Sequence, residues 1–103
     1  MLGITFKENC PDVRNTKVVD VVSALSDYGI KVTIFDPWAN PIEVKHEYNL
    51  TSVDTLPANK FDAVVLGVAH KEFLNLEFGA LQKGNSILYD VKGILEFETD
   101  GKL

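Results

Sequence analysis

Short apolar runs alternate along this chain with stretches whose apolar positions recur at helical spacing. The clearest run spans 61–68, and its Ala63–Leu66 portion is apolar on both faces, as a buried parallel strand should be. The same pattern predicts further strands at Leu2–Phe6, Lys31–Phe35 and Ser86–Tyr89. A brief edge strand is also predicted at Leu50–Val53.

Helices are predicted between these runs. The first begins after a cap at Asn15 or Thr16, because three valines and a leucine then recur on one helical face, and Gly29 is placed to end it. The remaining helical segments are Pro41–Tyr48, one turn within Ser52–Ala58, His70–Leu74 and Glu77–Leu81. Gly84 is expected to end the last of these, Lys92-Gly93 to start a turn, and 98–103 to be frayed.

The alternation of strand and helix predicts an α/β fold. We expect a three-layer Rossmann-like domain with a mainly parallel sheet of about five strands and helices on both faces. Right-handed crossovers would place the first strand centrally. The 103 residues suit one domain, 1–103, and contain no internal repeat or interdomain linker.

Charge and composition exclude several classes of protein. The net charge of −5 argues against a general nucleic-acid surface, and no apolar run is long enough for a membrane span. No signal peptide is recognisable, and a single cysteine, Cys10, cannot form an internal disulfide, so a cytoplasmic location is expected. His46 and His70 lack ligand spacing, so no metal site is predicted.

Polar residues collect where the predicted strands end, namely Lys7, Asp36, the segment 67–70, Asp90 and Lys92. Parallel strands end at one edge of a sheet, which is where ligands bind in such folds. Lys7, Arg14 and Lys92, together with the first amides of the first helix, would then form an anion site. The loop at Lys7 should lie near 68–71, because the first and third strands would be neighbours.

Each of these residues also has an interpretation without a ligand. From its position alone, Lys7 is most simply a solvated lysine after a strand. Arg14 fits equally well as the partner of Asp12 in a surface ion pair. Asp36 resembles the acid that holds a ribose in dinucleotide folds, but the first loop lacks G-x-G-x-x-G, which favours a turn aspartate. Cys10 has no histidine beside it in sequence and is expected to be unreactive.

The first segment, Leu2–Asn15, carries a family resemblance. Its order of strand, lysine, turn and D-x-R resembles the C-terminal domain of the UDP-glucose/GDP-mannose dehydrogenase family. The dipeptide Asp36-Pro37, the strand Phe61–Val65 and the final Tyr89–Gly93 are also similar, so the resemblance covers essentially the whole chain. The Asn-Cys-Pro-Asp and Val-Lys-Gly forms resemble the subgroup that acts on UDP-N-acetylhexosamines for surface polysaccharide synthesis.

The resemblance implies part of an NAD-dependent nucleotide-sugar 6-dehydrogenase, which oxidises a UDP-sugar C6 hydroxyl to a carboxylate. Residues 1–103 would be its UDP-binding C-terminal domain, without the N-terminal NAD-binding and central dimerisation domains. Because family members carry the catalytic cysteine and lysine in those domains, this chain would hold no catalytic residue, and Cys10 would not be the nucleophile. UDP-sugar, NAD and the other domains of a homodimer would be its partners, and the chain alone would be inactive.

The resemblance also implies roles for single residues. Lys7 resembles the lysine that reaches toward the nucleotide sugar, and Arg14 resembles the arginine that meets the NAD phosphates, with Asp12 orienting it. Lys92 stands where many members have an arginine near the substrate nucleotide; lysine keeps the charge but loses the bidentate fork. The alternative is a free-standing Rossmann-like nucleotide-binding or regulatory module without catalysis.

Overall fold

The computed structural model of this chain describes residues 1–96 and 99–102, the last of these without its side chain. Helices and strands alternate through most of it, as the sequence predicts. The elements are α1 (Val18–Asp27), β1 (Ile34–Phe35), α2 (Pro41–Tyr48), β2 (Ser52–Val53), β3 (Phe61–Leu66), a 3₁₀ helix (Lys71–Asn75), α3 (Phe78–Leu81), β4 (Gln82–Asp90) and β5 (Gly101–Lys102). None of the helices in the described part is long and apolar enough to cross a membrane.

The strands are parallel and fall into two short sheets. β1 pairs with β2, and β3, β4 and β5 follow one another in the second sheet. Leu2 lies between the sheets and forms isolated parallel bridges to Phe35 and Leu66. The predicted α/β class is therefore confirmed, whereas the described strands do not form the single sheet of about five that we expected, because the first segment contributes one bridging residue instead of a strand.

In the predicted first strand, Leu2–Phe6, only Leu2 forms bridges to neighbouring strands within the described part of the chain. Gly3 has a φ of 95°, outside the extended range. The next two amides, of Ile4 and Thr5, donate to the Asp36 carboxylate at 2.7 and 3.2 Å instead of to a neighbouring strand. A side chain has thus replaced the ladder, which is why the apolar pattern alone overestimates this strand.

Other element boundaries differ for reasons of pairing. The second strand contains only Ile34–Phe35, because its partner β2 is two residues long. The helical turn predicted within Ser52–Ala58 is wrong, since it starts with the residues that form β2. Gly84 does not end a helix, because it lies within β4. The pairing of β3 with β4 is irregular at this point: Phe61 pairs with Gln82, but Ala63 pairs with Ile87.

Predictions that rest on capping residues are confirmed for α2 and for the end of α1, whereas the N-cap of α1 is Lys17 and not Asn15 or Thr16. α2 has its predicted bounds, with Asn40 accepting a hydrogen bond from the Ile42 amide. Gly29 follows α1 with a φ of 79°, and the two helical segments predicted at His70–Leu74 and Glu77–Leu81 are present as Lys71–Asn75 and Phe78–Leu81. The expected fraying of 98–103 is wrong for Gly101–Lys102, which pair with β4 through backbone bonds that the sequence does not reveal; Glu98 and Leu103 lie outside the described residues.

Two apolar clusters hold these elements together. One packs the 3₁₀ helix and α3 against β3 and β4, and its buried members include Leu2, Phe35, Val64, Leu66, Phe73, Phe78, Leu81 and Leu88. The other joins α1 and α2 to the first segment through Ile4, Val13, Val22, Ile34, Ala39 and Val44. On α1 only Val22 is fully buried, and Val21 is 44% exposed although it belongs to the predicted apolar face, so the buried stripe is narrower than the sequence indicates.

Candidate functional site

A cleft of about 200 Å³ opens at the carboxyl ends of the first segment, β3 and β4. Its walls come from 5–8 in the first segment, 15–18 at the start of α1, 67–68 after β3, and Lys92 after β4. The structure therefore brings Lys7 and Lys92 into one cleft although they lie far apart in sequence. This is the edge at which open parallel sheets bind their ligands.

The charges around this cleft suit an anion. Lys7, Lys17 and Lys92 all line it and all are exposed, while Glu8 is the carboxylate among its lining residues. α1 also starts here, so the positive end of its dipole faces the cleft, although Thr16 already accepts the Val18 amide. Lys17 is the N-cap of α1, one or two residues after the predicted cap, and it is not among the predicted site residues.

Arg14 is predicted to join Lys7 and Lys92 in one anion site, but it is not among the residues that line this cleft. Asn9 and Asn15 both have positive φ angles, 53° and 59°, and they turn the chain at each end of 10–14. Arg14 lines a second, wider cleft of about 640 Å³ together with Cys10, Pro11, Asp12, Val13, Ile42, Glu43, His46 and Glu47.

In this second cleft, Asp12 holds the Arg14 guanidinium as a fork. The two carboxylate oxygens lie 3.1 Å from Nε and 3.2 Å from Nη2, and Oδ1 also accepts the Arg14 amide at 2.9 Å. These hydrogen bonds lower the pKa of Asp12 and raise that of Arg14. Glu43 and Glu47 lie in the same cleft, so its lining has more carboxylates than guanidinium groups. A phosphate that binds there requires cations from another part of the protein.

Asp36 is a buried hub and not a free carboxylate. Its Oδ2 accepts from Ile4, Thr5 and His70, and its Oδ1 accepts from the amides of Trp38 and Ala39 at 2.8 and 3.2 Å. Burial acts to raise its pKa, but the hydrogen bonds from His70 and the backbone outweigh burial and lower it. Because both oxygens are occupied and inaccessible, the ribose-binding alternative is wrong and the turn aspartate is correct.

His70 joins this hub to the turn that carries Lys7. The ring is fully buried; its Nδ1 lies 2.9 Å from the Asn9 amide, and its Nε2 lies 3.0 Å from both Asp36 Oδ2 and Thr5 Oγ1. The Lys71 amide in turn donates to Asn9 Oδ1 at 2.9 Å. The prediction that the Lys7 loop lies near 68–71 is thus confirmed. The sequence places His70 in the polar segment 67–70 after a buried strand, but it gives His70 no hydrogen-bond partner; its position next to that strand is the one signal of its burial.

The two histidines occupy different places in the described part of the chain. No group of three or more His, Cys, Asp or Glu residues is placed there to hold an ion. His46 lines the cleft of Arg14, whereas His70 is committed to Asn9 and Asp36.

These features define a class: an α/β domain of parallel strands with a cationic cleft at their carboxyl ends. Residues 1–97 match the UDP-glucose/GDP-mannose dehydrogenase family, UDP binding domain. The match covers nearly the whole chain, which therefore belongs to this family.

The chain is similar to several curated bacterial proteins. It is 46% identical to a UDP-N-acetyl-D-glucosamine 6-dehydrogenase of Pseudomonas aeruginosa over 93% of its own length, and 42% identical to one of Salmonella typhi over 95%. It is 40% identical to Protein CapL of Staphylococcus aureus over 92%. These matches cover 24%, 24% and 23% of the relatives, so the chain spans about a quarter of their length.

Proposed function

We propose that this chain is the UDP-binding C-terminal domain of an NAD-dependent nucleotide-sugar 6-dehydrogenase. The parent enzyme oxidises the C6 hydroxyl of a UDP-sugar, in the UDP-N-acetylhexosamine class, to a carboxylate for surface polysaccharide synthesis in the cytoplasm. The observation that supports this most is the cleft lined by Lys7, Lys17 and Lys92 in a member of a UDP-binding family. We further propose that the two sheets, bridged by Leu2, act as one Rossmann-like parallel sheet of about five strands.

The cleft has the chemistry to hold a nucleoside diphosphate. Ammonium groups of Lys7 and Lys92 neutralise the diphosphate, and Lys17 adds a third charge at the start of α1. The Phe6 ring also lines the cleft and is 57% exposed, so it offers an apolar face on which a base can stack. Polar and stacking contacts together distinguish a nucleotide from inorganic phosphate.

Arg14, oriented by Asp12, serves the other ligand in this proposal. Its cleft lies apart from that of Lys7, so it can meet the NAD phosphates while UDP occupies the lysine cleft. The surplus of carboxylates around Arg14 means that the NAD-binding domain must supply further cations. NAD is therefore bound mainly outside residues 1–103, by the N-terminal domain of the same chain.

The chemistry itself is placed in the absent domains. Conversion of a primary alcohol to a carboxylate removes two hydrides, which reduce two NAD molecules, and adds one water oxygen. The residues of this chain bind and orient the nucleotide, while the nucleophile belongs to the remaining three quarters of a homodimeric parent. The isolated chain should therefore bind UDP without oxidising a UDP-sugar.

A chimera tests this proposal. The matching quarter of the Pseudomonas aeruginosa relative is replaced by this chain, and NADH formation from UDP-N-acetyl-D-glucosamine is measured beside the isolated chain. We expect turnover by the chimera and none by the chain alone. Turnover by the chain alone, or an inactive chimera that is folded and retains the parent's oligomeric state, would contradict the proposal. UDP binding by the chain together with such an inactive chimera would instead indicate the free-standing nucleotide-binding module.

A further inference from the structure

A buried polar cluster lies directly beneath the turn that carries Lys7, and none of the roles assigned above uses it. Its members are Thr5, Asp36 and His70, which are 1%, 0% and 0% exposed. Buried polar groups are costly unless fully hydrogen-bonded, so a satisfied cluster of this kind fixes the geometry around it. Among the hydrogen bonds of the described residues, two connect this cluster to the turn at the surface. The Asn9 amide donates to His70 Nδ1, and Thr5 Oγ1 donates to the Lys7 carbonyl.

The hydrogen bonds determine the tautomer of His70. The Asn9 amide can only donate, so Nδ1 must accept and carries no proton. Nε2 therefore carries the proton, and it donates toward Asp36 Oδ2, which can only accept. The neutral Nε2–H ring is the form that satisfies both neighbours. A proton on Nδ1 would face the Asn9 N–H and break the link to the turn.

We propose that His70 is a positioning residue for the Lys7 turn: it fixes residues 7–9 at the edge of the nucleotide cleft through its Nδ1 bond to Asn9. The proposal rests on the proposed function in its reference to a nucleotide, but the ordering of the turn stands without it. Asn9 completes the link, because its Oδ1 accepts the Lys71 amide one residue after His70. The turn is thus attached to the loop after β3 at two points.

The rest of the His70 environment holds the ring in place. Trp38 stacks on it with ring centroids 6.0 Å apart, and Phe73 meets it edge-on at 5.4 Å. Trp38 is itself held by a bond from its indole N–H to Glu72 at 2.9 Å, and Lys71 Nζ lies 5.6 Å from its ring. The ring therefore has one orientation, in which Nδ1 points to Asn9 and Nε2 to Asp36.

Two conservative variants separate the two nitrogens of the ring. In His70→Asn the amide oxygen takes the place of Nδ1 and can still accept from Asn9. In His70→Gln the amide nitrogen takes the place of Nε2 and can still donate to Asp36, but the Asn9 amide loses its acceptor. Both variants remove packing, so both lower stability. The two variants differ in whether residue 70 can accept the Asn9 amide. If His70 had only a packing role, both variants would give the same results in the measurements that follow.

The first measurement uses no nucleotide. Imidazole ¹⁵N spectra of the 103-residue chain should show His70 neutral and protonated at Nε2, and the Asn9 amide should exchange slowly with solvent. We expect about three- to tenfold faster exchange, the range for one hydrogen bond, in His70→Gln, and a smaller change in His70→Asn. A ring protonated at Nδ1, or equal exchange of Asn9 in the wild type and His70→Gln, would overturn the proposal.

Should either histidine variant fail to fold, Asn9→Gly tests the other half of the link. Glycine accepts the positive φ of this exposed position and keeps the amide, but it removes the acceptor for Lys71. The matched control is Asn49→Gly at the C-cap of α2, which has a φ of 56° and lies outside both clefts. Exchange at Lys71 should rise several-fold only in Asn9→Gly, and an equal result in the two variants would contradict the attachment of the turn.

The second measurement adds UDP as the probe. Affinity should fall about three- to tenfold in folded His70→Gln, and less in His70→Asn. Equal affinity in all folded variants would overturn the link from His70 to the nucleotide. Absence of UDP binding by the wild-type chain, with Asn9 exchange behaving as stated, would reject the proposed function and leave the ordering of the turn by His70 in place.

Discussion

At the scale of single residues, the Asp36 carboxylate determines where strand pairing of the first segment stops, because it accepts the Ile4 and Thr5 amides. It receives the amides that a neighbouring strand would otherwise receive, and it also anchors the loop after β1 and the His70 ring. A charged acceptor forms stronger hydrogen bonds than a carbonyl, so one side chain can replace several ladder contacts.

We predict an acid-dependent stability that belongs to Asp36. Its pKa in the folded chain is lowered, so its contribution to the free energy of unfolding is present above the unfolded value of about 3.9 and is lost as the pH falls through the folded pKa. Asp36→Asn should cost about 3 kcal/mol near neutral pH and should flatten the curve below pH 4. Denaturant unfolding from pH 2 to 7 measures both effects.

Asp12→Asn is the control, because the pKa of Asp12 is also lowered but its partner Arg14 is mostly exposed. Its free energy of unfolding should change little at any pH. If Asp36→Asn and Asp12→Asn changed the pH dependence of the free energy of unfolding equally, the assignment of that dependence to Asp36 would be contradicted.

The Lys7 side chain gives a second prediction at this scale. Lys7→Ala should weaken UDP binding about tenfold or more, which corresponds to the loss of one charge-assisted hydrogen bond, and should leave the free energy of unfolding nearly unchanged. Lys45→Ala, on the exposed side of α2, removes the same charge away from the cleft. Calorimetric titration of both variants compares them, and equal affinities would remove Lys7 from the site.

At the scale of elements, the sequence was informative where the stabilising contact is local. The bounds of α2 follow from Asn40 and Pro41, which lie next to each other at its start. The length of the first strand was not predictable, since the acceptor for the Ile4 amide is a side chain 32 residues away. The register shift in β4 is equally invisible, because an apolar pattern does not say which residues pair.

Gly3 and Gly29 allow an element-scale prediction, because both have positive φ angles but only one is crowded. A Cβ at Gly3 would lie 2.5 Å from Val68 Cβ, whereas one at Gly29 would meet nothing within 4 Å. Gly29→Ala should cost about 1–2 kcal/mol, the penalty of the left-handed backbone. Gly3→Ala should cost several kcal/mol more, because the loop after β3 must also move. Thermal unfolding of the two variants tests the difference, and similar losses would contradict the close approach of the two segments.

At the scale of the whole molecule, the two clefts separate the proposed ligands. The sequence predicted that Lys7 and Lys92 lie at one edge of the fold, and both line one cleft. It could not show that Arg14 lines a different cleft, because the positive φ angles of Asn9 and Asn15 on either side of 10–14 are not readable from an apolar pattern. Nor could it reveal the role of His70, whose partners are 61 and 34 residues away in sequence.

The separation of the clefts predicts that removal of the Arg14 charge and removal of the Lys7 charge have unequal effects on UDP affinity. Arg14→Ala should leave the UDP affinity of the chain within about twofold, because its charge lies in the other cleft and is paired with Asp12, whereas Lys7→Ala should not. In the chimera, Arg14→Ala should raise the KM for NAD more than that for the UDP-sugar. A larger effect on UDP than on NAD would contradict the assignment of Arg14.

Cys10 follows Asn9 directly and lines the cleft of Arg14, and it is the single cysteine of the sequence. Its thiol is free and only partly buried, so a thiol-reactive fluorophore, which needs access but no catalytically activated cysteine, would attach at one known position beside the turn that His70 holds. Its emission would report movement of that turn in real time, without any substitution to remove competing thiols. The chain thus carries its own labelling site for stopped-flow measurements of nucleotide capture.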